Sequence, residues 1–149
     1  SSLYCLAFNN IGQNTMKEHK HDFKKLVHVA FKYYKENNCC TVIAVAVAAN
    51  IGFGKAYHAM KREGRQDRRG AYFAQYESAL NKLGYRVEPS EVYMGKTLVT
   101  AKRMCPKRGT FLIRSAGHVT CIRDGVMVDW AEDRNSRKRV RAVYEVIKN

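Results

Sequence analysis

Asn37-Asn38-Cys39-Cys40-Thr41-Val42-Ile43-Ala44-Val45-Ala46-Val47-Ala48-Ala49 is the stretch on which the fold turns. After the two asparagines it is small or apolar on every side, with Ala44, Ala46, Ala48 and Ala49 interleaved with Val and Ile. Asn is a strong helix N-cap residue. A segment that is apolar all round belongs in the interior. The reading is a buried helix that starts at the cysteines and ends near Asn50–Gly52. A buried strand competes, because Val and Ile alternate with Ala. Length and alanine content favour the helix.

Around this stretch the pattern changes twice. Upstream, Lys25 to Tyr34 sets Val27, Val29, Phe31 and Tyr33 against Leu26, His28, Ala30 and Lys32, a period of two that predicts a strand. Downstream come helices over Gly54–Arg62 and Tyr72–Leu83, the second with Phe73, Tyr76, Leu80 and Leu83 on one face and Gly84 as its stop. A short strand, Tyr85–Glu88, and a short helix, Thr97–Met104, follow. The last third reads as β: Thr110–Ser115, His118–Arg123, Val126–Trp130 and Val140–Ile147, with Asp124-Gly125 as a two-residue hairpin turn. Helices followed by antiparallel strands predict an α+β domain over residues 25–149, preceded by an irregular arm over 1–24.

The chain has 149 residues and a net charge of +14, with hydrophobic residues at 46%, which excludes a wholly disordered chain. No apolar run approaches the ~20 residues of a membrane-spanning helix, so no membrane segment is expected. The start does not read as a secretory signal. Cys5, Cys39, Cys40, Cys105 and Cys121 are odd in number and form no CxxC pair, which points to a reducing compartment rather than a disulfide framework. Closely spaced zinc ligands are absent, and Cys5 with His19 and His21 makes a poor set, so neither metal nor organic cofactor is expected.

Such a positive field seeks polyanions: nucleic acid or an acidic protein surface. The candidate contact residues are Arg65, Arg68 and Arg69 in one basic segment and Arg137, Lys138 and Arg139 in another. A solvated loop explains the same residues equally well. Tyr33, Tyr34, Tyr72, Phe73 and Tyr76 could stack on bases, although packing accounts for most of them. No helix-turn-helix, zinc-finger or RNP pattern accompanies the charge.

The hairpin register exposes a chemical candidate. A two-residue turn at Asp124-Gly125 pairs Arg123 with Val126, and by extension Thr120 with Asp129. His118 then lies on the same face as Thr120 and becomes a diagonal neighbour of Asp129. An imidazole held by a carboxylate is a base with its orienter. Cys40, at the start of the buried helix, sits where the helix dipole favours a thiolate. A thiol on a helix start facing His and Asp on a sheet is the geometry of thiol hydrolysis. The Cys40 N–H and the amide of Asn38 or Asn37 are candidate oxyanion donors. Cys121 alternates away from His118 and packs with Val119 and Val128; Trp130 packs as well.

The stretch Asn37 to Ala46 resembles the "Asn-Asp-Cys-Thr-Val-x-Ala" start of small papain-like cysteine peptidase-fold proteins of bacteriophages. Further blocks are similar: Lys61-Arg62-Glu63-Gly64-Arg65, Gly70-Ala71-Tyr72, Leu80 to Gly84, Gly109 to His118, and Asp124 to Trp130. The resemblance spans about residues 26–147. It implies a papain-like fold with Cys40 as nucleophile, His118 as base and Asp129 as orienter. It further implies a peptide or isopeptide substrate and a place of action in the host cytoplasm or the virion. One departure stands out: the pattern has Asp before the nucleophile, and this chain has Cys39. The competing expectations are a basic nucleic-acid- or host-protein-binding module on an inert fold, and a virion component. Oligomeric state is left open.

Overall fold

The computed structural model describes residues 21–129 and 137–149. The described part is α+β: helices α1 (Phe23–Tyr34), α2 (Cys40–Ala49), α3 (Phe53–Arg62) and α4 (Phe73–Lys82) come first. Strand β1 (Tyr85–Pro89) and helix α5 (Leu98–Met104) follow, then β2 (Thr110–Ser115), β3 (His118–Arg123), β4 (Val126–Val128) and β5 (Ala142–Lys148). The five strands form one antiparallel sheet in the order β1-β5-β2-β3-β4.

Helix α2 forms as expected and is the centre of the domain. Every residue from Thr41 to Ala49 is buried, and only Cys40 at its start is half-exposed. Small alanines let α2 lie close to the sheet, chiefly against β3, while α3 and α4 pack on its other sides. Its C-terminal carbonyls find partners. Arg123 donates to the Val47 carbonyl at 3.2 Å, the Tyr85 hydroxyl to Ala49 at 3.1 Å, and Asn50 closes the last turn in the left-handed conformation with φ 56°. The N-terminus differs from expectation. Cys39, not an asparagine, occupies the N-cap position, and no side chain caps the helix.

The expected strand over Lys25–Tyr34 is a helix. Leu26 and Ala30 are its buried residues, and Phe23, Val27 and Tyr34 pack beside them, a spacing of three and four that the same sequence carries alongside its alternation. Phe31 and Tyr33, which the strand reading put on an apolar face, are exposed. Asp22 decides the matter locally: its carboxylate accepts from the Lys24 N–H at 2.9 Å as an N-cap. Helix α1 thus starts before the expected boundary at residue 25, and the His21 ring donates to the Ile51 carbonyl at 2.8 Å.

The sheet is covered on both faces. Leu112, Val119, Cys121 and Val128 pack with α2 and the other early helices. Phe111, Ile113 and Ile122 pack with Met94, Leu98 and Ala101 around α5. That is why β2 reads Phe111-Leu112-Ile113 without a polar break. The turn between β3 and β4 has positive φ at both Asp124 (51°) and Gly125 (83°), the type I′ geometry that matches strand twist. β4 ends at Val128, shorter than expected, and Trp130 lies outside the described residues. No single helix among the described residues is long and apolar enough to cross a membrane.

Candidate active site

The α2 N-terminus, the α3–α4 loop and the β2–β3 turn enclose a cleft of about 560 Å³. Cys40 and His118 both line it, as do Asn38, Tyr72, Phe73 and Arg114. The ladder between β3 and β4 pairs Arg123 with Val126, Ile122 with Met127 and Cys121 with Val128, the register expected from the turn. Asp129 directly follows the last pair, and its Oδ2 lies 2.6 Å from His118 Nε2. Both side chains are nearly buried, at 7% and 3% accessible.

The His118 imidazole is subject to opposing effects. Burial lowers its pKa, whereas the hydrogen bonds and charges of Asp129 and then Cys40 raise it, and the net result is a rise from 6.5 to about 9. With Nε2 engaged by Asp129, Nδ1 is the nitrogen left for the Cys40 sulfur. A thiol, an imidazole and a carboxylate thus stand in sequence. This arrangement can remove a proton from sulfur, hold it on the ring and return it to a leaving group.

Of the two adjacent thiols, Cys39 is the closed one. It is 2% accessible, and burial together with the Glu36 charge pushes its thiol up to about 12. Cys105 and Cys121 are buried as well, and burial raises both; Cys39, Cys40, Cys105 and Cys121 are all free thiols. Cys121 packs with Val119 and Val128 as expected. Of the two asparagines, Asn38 lines the cleft, whereas Asn37 is exposed and does not. Among the described residues no group of three or more His, Cys, Asp or Glu side chains is arranged to hold a metal ion.

Arg65 requires a correction. Expected on a polyanion-binding surface, it is 4% accessible and forms a bidentate ion pair with Glu36, at 2.7 Å from Nη2 and 3.2 Å from Nη1. Nη2 also donates to the Asn38 carbonyl at 2.9 Å. Glu36 in turn accepts from the Arg68 backbone N–H at 3.0 Å. This buried pair ties the loop before Cys40 to the α3–α4 loop and so fixes the entry to α2. Arg68 and Arg69 remain exposed, as do Arg137 and Arg139, while Lys138 is half-exposed and donates to the Ala116 carbonyl at 3.1 Å. Tyr34 packs with Phe53 and Tyr57 rather than facing a ligand.

Sequence reasoning passed over Glu36 and Arg114. Nothing local distinguishes Glu36 in the polar run after α1. Arg114 left a signal: a charge inside the otherwise apolar β2. Its guanidinium stands 5.5 Å from the Phe73 ring centroid, and Nη1 donates to the Tyr144 hydroxyl at 3.4 Å. The Phe73 and Tyr144 rings contact each other with centroids 4.6 Å apart.

No family model, curated protein or solved structure matches the chain. The functional reading rests on the site itself.

Proposed function

We propose that this protein is a papain-like thiol hydrolase that cleaves a peptide or isopeptide bond, with Cys40 as nucleophile, His118 as acid and base, and Asp129 as its orienter. The observation that carries the reading is the 2.6 Å bond between His118 and Asp129 in a cleft that also holds the one half-exposed cysteine among the described residues. His118 takes the proton from Cys40 Sγ, and the sulfur attacks the substrate carbonyl carbon. The oxyanion is stabilised by the Cys40 N–H, with the Asn38 amide as second donor. Collapse breaks the C–N bond, and the imidazolium gives its proton to the departing amine. Water, deprotonated by His118, then attacks the thioester, releasing a carboxylic acid and restoring the thiol. Asp129 keeps the ring turned with Nδ1 toward sulfur and stabilises its positive form.

The test is the rate of Cys40 alkylation by iodoacetamide as a function of pH, mapped by peptide mass spectrometry. Labelling that persists well below the ordinary thiol pKa of about 8.5, and is lost in His118→Ala, supports the reading. Labelling that follows an ordinary thiol in both proteins refutes it. The exposed Arg68, Arg69, Arg137 and Arg139 favour a second reading, a polyanion-binding module. That reading requires binding that weakens steeply with salt and is indifferent to Cys40→Ala.

A further inference from the structure

Of the described residues that line the cleft, none is Asp or Glu, and three are arginines. Arg65 is buried and its charge is met by Glu36. Arg69, in the α3–α4 loop, and Arg114, on β2, are exposed and have no carboxylate partner among the described residues. Arg114 also has neighbours that favour one placement of its guanidinium. The Phe73 ring and the Tyr144 hydroxyl both contact its guanidinium, which lowers the side-chain entropy lost when it takes a ligand. In the sheet Arg114 pairs with Val119, on the face that also carries Leu112. Arg114 and His118 thus both line the cleft that the substrate must occupy.

We infer that this cleft selects a substrate with an acidic side chain within two residues before the scissile carbonyl, bound by Arg114 with Arg69 as the second positive charge. The inference rests on the thiol-hydrolase reading of the same site and adds the class of substrate. A guanidinium fork matches both carboxylate and phosphate oxygens. The chemistry of the neighbouring residues favours carboxylate, because a thiol beside an imidazole attacks acyl carbon, which a peptide supplies. The lining acts in the same direction, since a carboxylate in the cleft meets no like charge among the described residues.

The test uses the full chain and peptidyl chloromethyl ketones in which Glu, Gln or Lys occupies either of the two positions before the reactive carbon. The readout is the second-order rate of Cys40 alkylation. One charge-assisted pair predicts that Glu at one of the two positions labels about tenfold faster than Gln, with Lys slowest. The Glu-to-Gln rate ratio falls toward one in Arg114→Gln, is partly kept in Arg114→Lys, and shrinks with added salt. Equal rates for Glu and Gln at both positions in the unaltered protein overturn the inference without any variant, and leave the hydrolase reading standing. A preference that survives Arg114→Gln overturns the role given to Arg114. If a short single-stranded oligonucleotide blocks labelling through Arg114 while no Glu preference exists, the cation serves phosphate and the inference fails. Absence of Cys40 labelling by every probe refutes the hydrolase reading itself, and the substrate class with it.

Discussion

Replacing Glu36 by Gln is expected to be among the most destabilising single changes in the domain. The Glu36 and Arg65 side chains are 0% and 1% accessible, and the carboxylate receives two guanidinium bonds and the Arg68 N–H. In Glu36→Gln the carboxylate charge is lost, one acceptor becomes an NH₂ group facing donors, and Arg65 remains a buried unpaired cation. Breaking one partner of such a pair costs about 3–5 kcal/mol. Chains of this length unfold with an entropy near 0.3 kcal/mol/K, so Tm should fall by roughly 10–16 °C. With an m-value of about 2 kcal/mol/M, the urea midpoint should drop by about 1.5–2.5 M. Urea titrations followed by circular dichroism would measure this. Cys39 alkylation gives a local readout, because freeing the loop before α2 uncovers that thiol. Glu36→Gln combined with Arg65→Met removes both charges, and the pair should recover about 2 kcal/mol over the sum of the single changes. A single-variant cost below about 1 kcal/mol, or strict additivity of the two changes, would refute the assignment of a coupled buried pair.

Three further outcomes are expected. The folded-state pKa of His118 is raised, from 6.5 to about 9, so its contribution to stability is full below pH 6.5 and is lost as pH climbs through about 9. Urea midpoints should decline across that window, and Asp129→Asn should flatten the decline and move the imidazole NMR titration downward. Limited iodoacetamide at neutral pH should modify Cys40 and spare Cys39, whose burial holds its thiol near 12; peptide mapping that finds Cys39 modified first would reverse the nucleophile assignment. Leu112→Ala, at a fully buried position against α2, should cost about 2–5 kcal/mol in urea unfolding while the cleft residues keep their places.

The parts of the fold that the chain reveals in its own order are those set by short-range physics. Helix α2 was legible because eleven consecutive small or apolar residues have few other places to go, and the β3–β4 register because Asp124-Gly125 admits little but a tight turn. From that register alone, the meeting of His118 and Asp129 follows. Helix α1 was misread because its residues satisfy two periods, and the deciding groups are the Asp22 cap and the burial of Leu26 and Ala30 against the rest of the domain. The Glu36–Arg65 pair joins positions 29 residues apart, and the insertion of β5 between β1 and β2 joins the sheet's first and last strands. No local pattern encodes either contact. Arg65 looked like surface because its neighbours Arg68 and Arg69 are surface.

On the thiol-hydrolase reading, helix α2 separates what the protein needs in order to stand from what it needs in order to react. Nine of its residues are enclosed by other parts of the domain, and the thiol sits on the tenth, at the only half-open position. A change at Cys40 therefore removes the sulfur at the rim of the core, whereas almost any change after it disturbs the packing inside. On that reading, one substitution at Cys40 silences the molecule and leaves the fold with its cleft and its arginines in place. Where a gene for this fold is duplicated, the inactive copy would keep the capacity to hold the same target without cutting it, and so to compete with its active sibling.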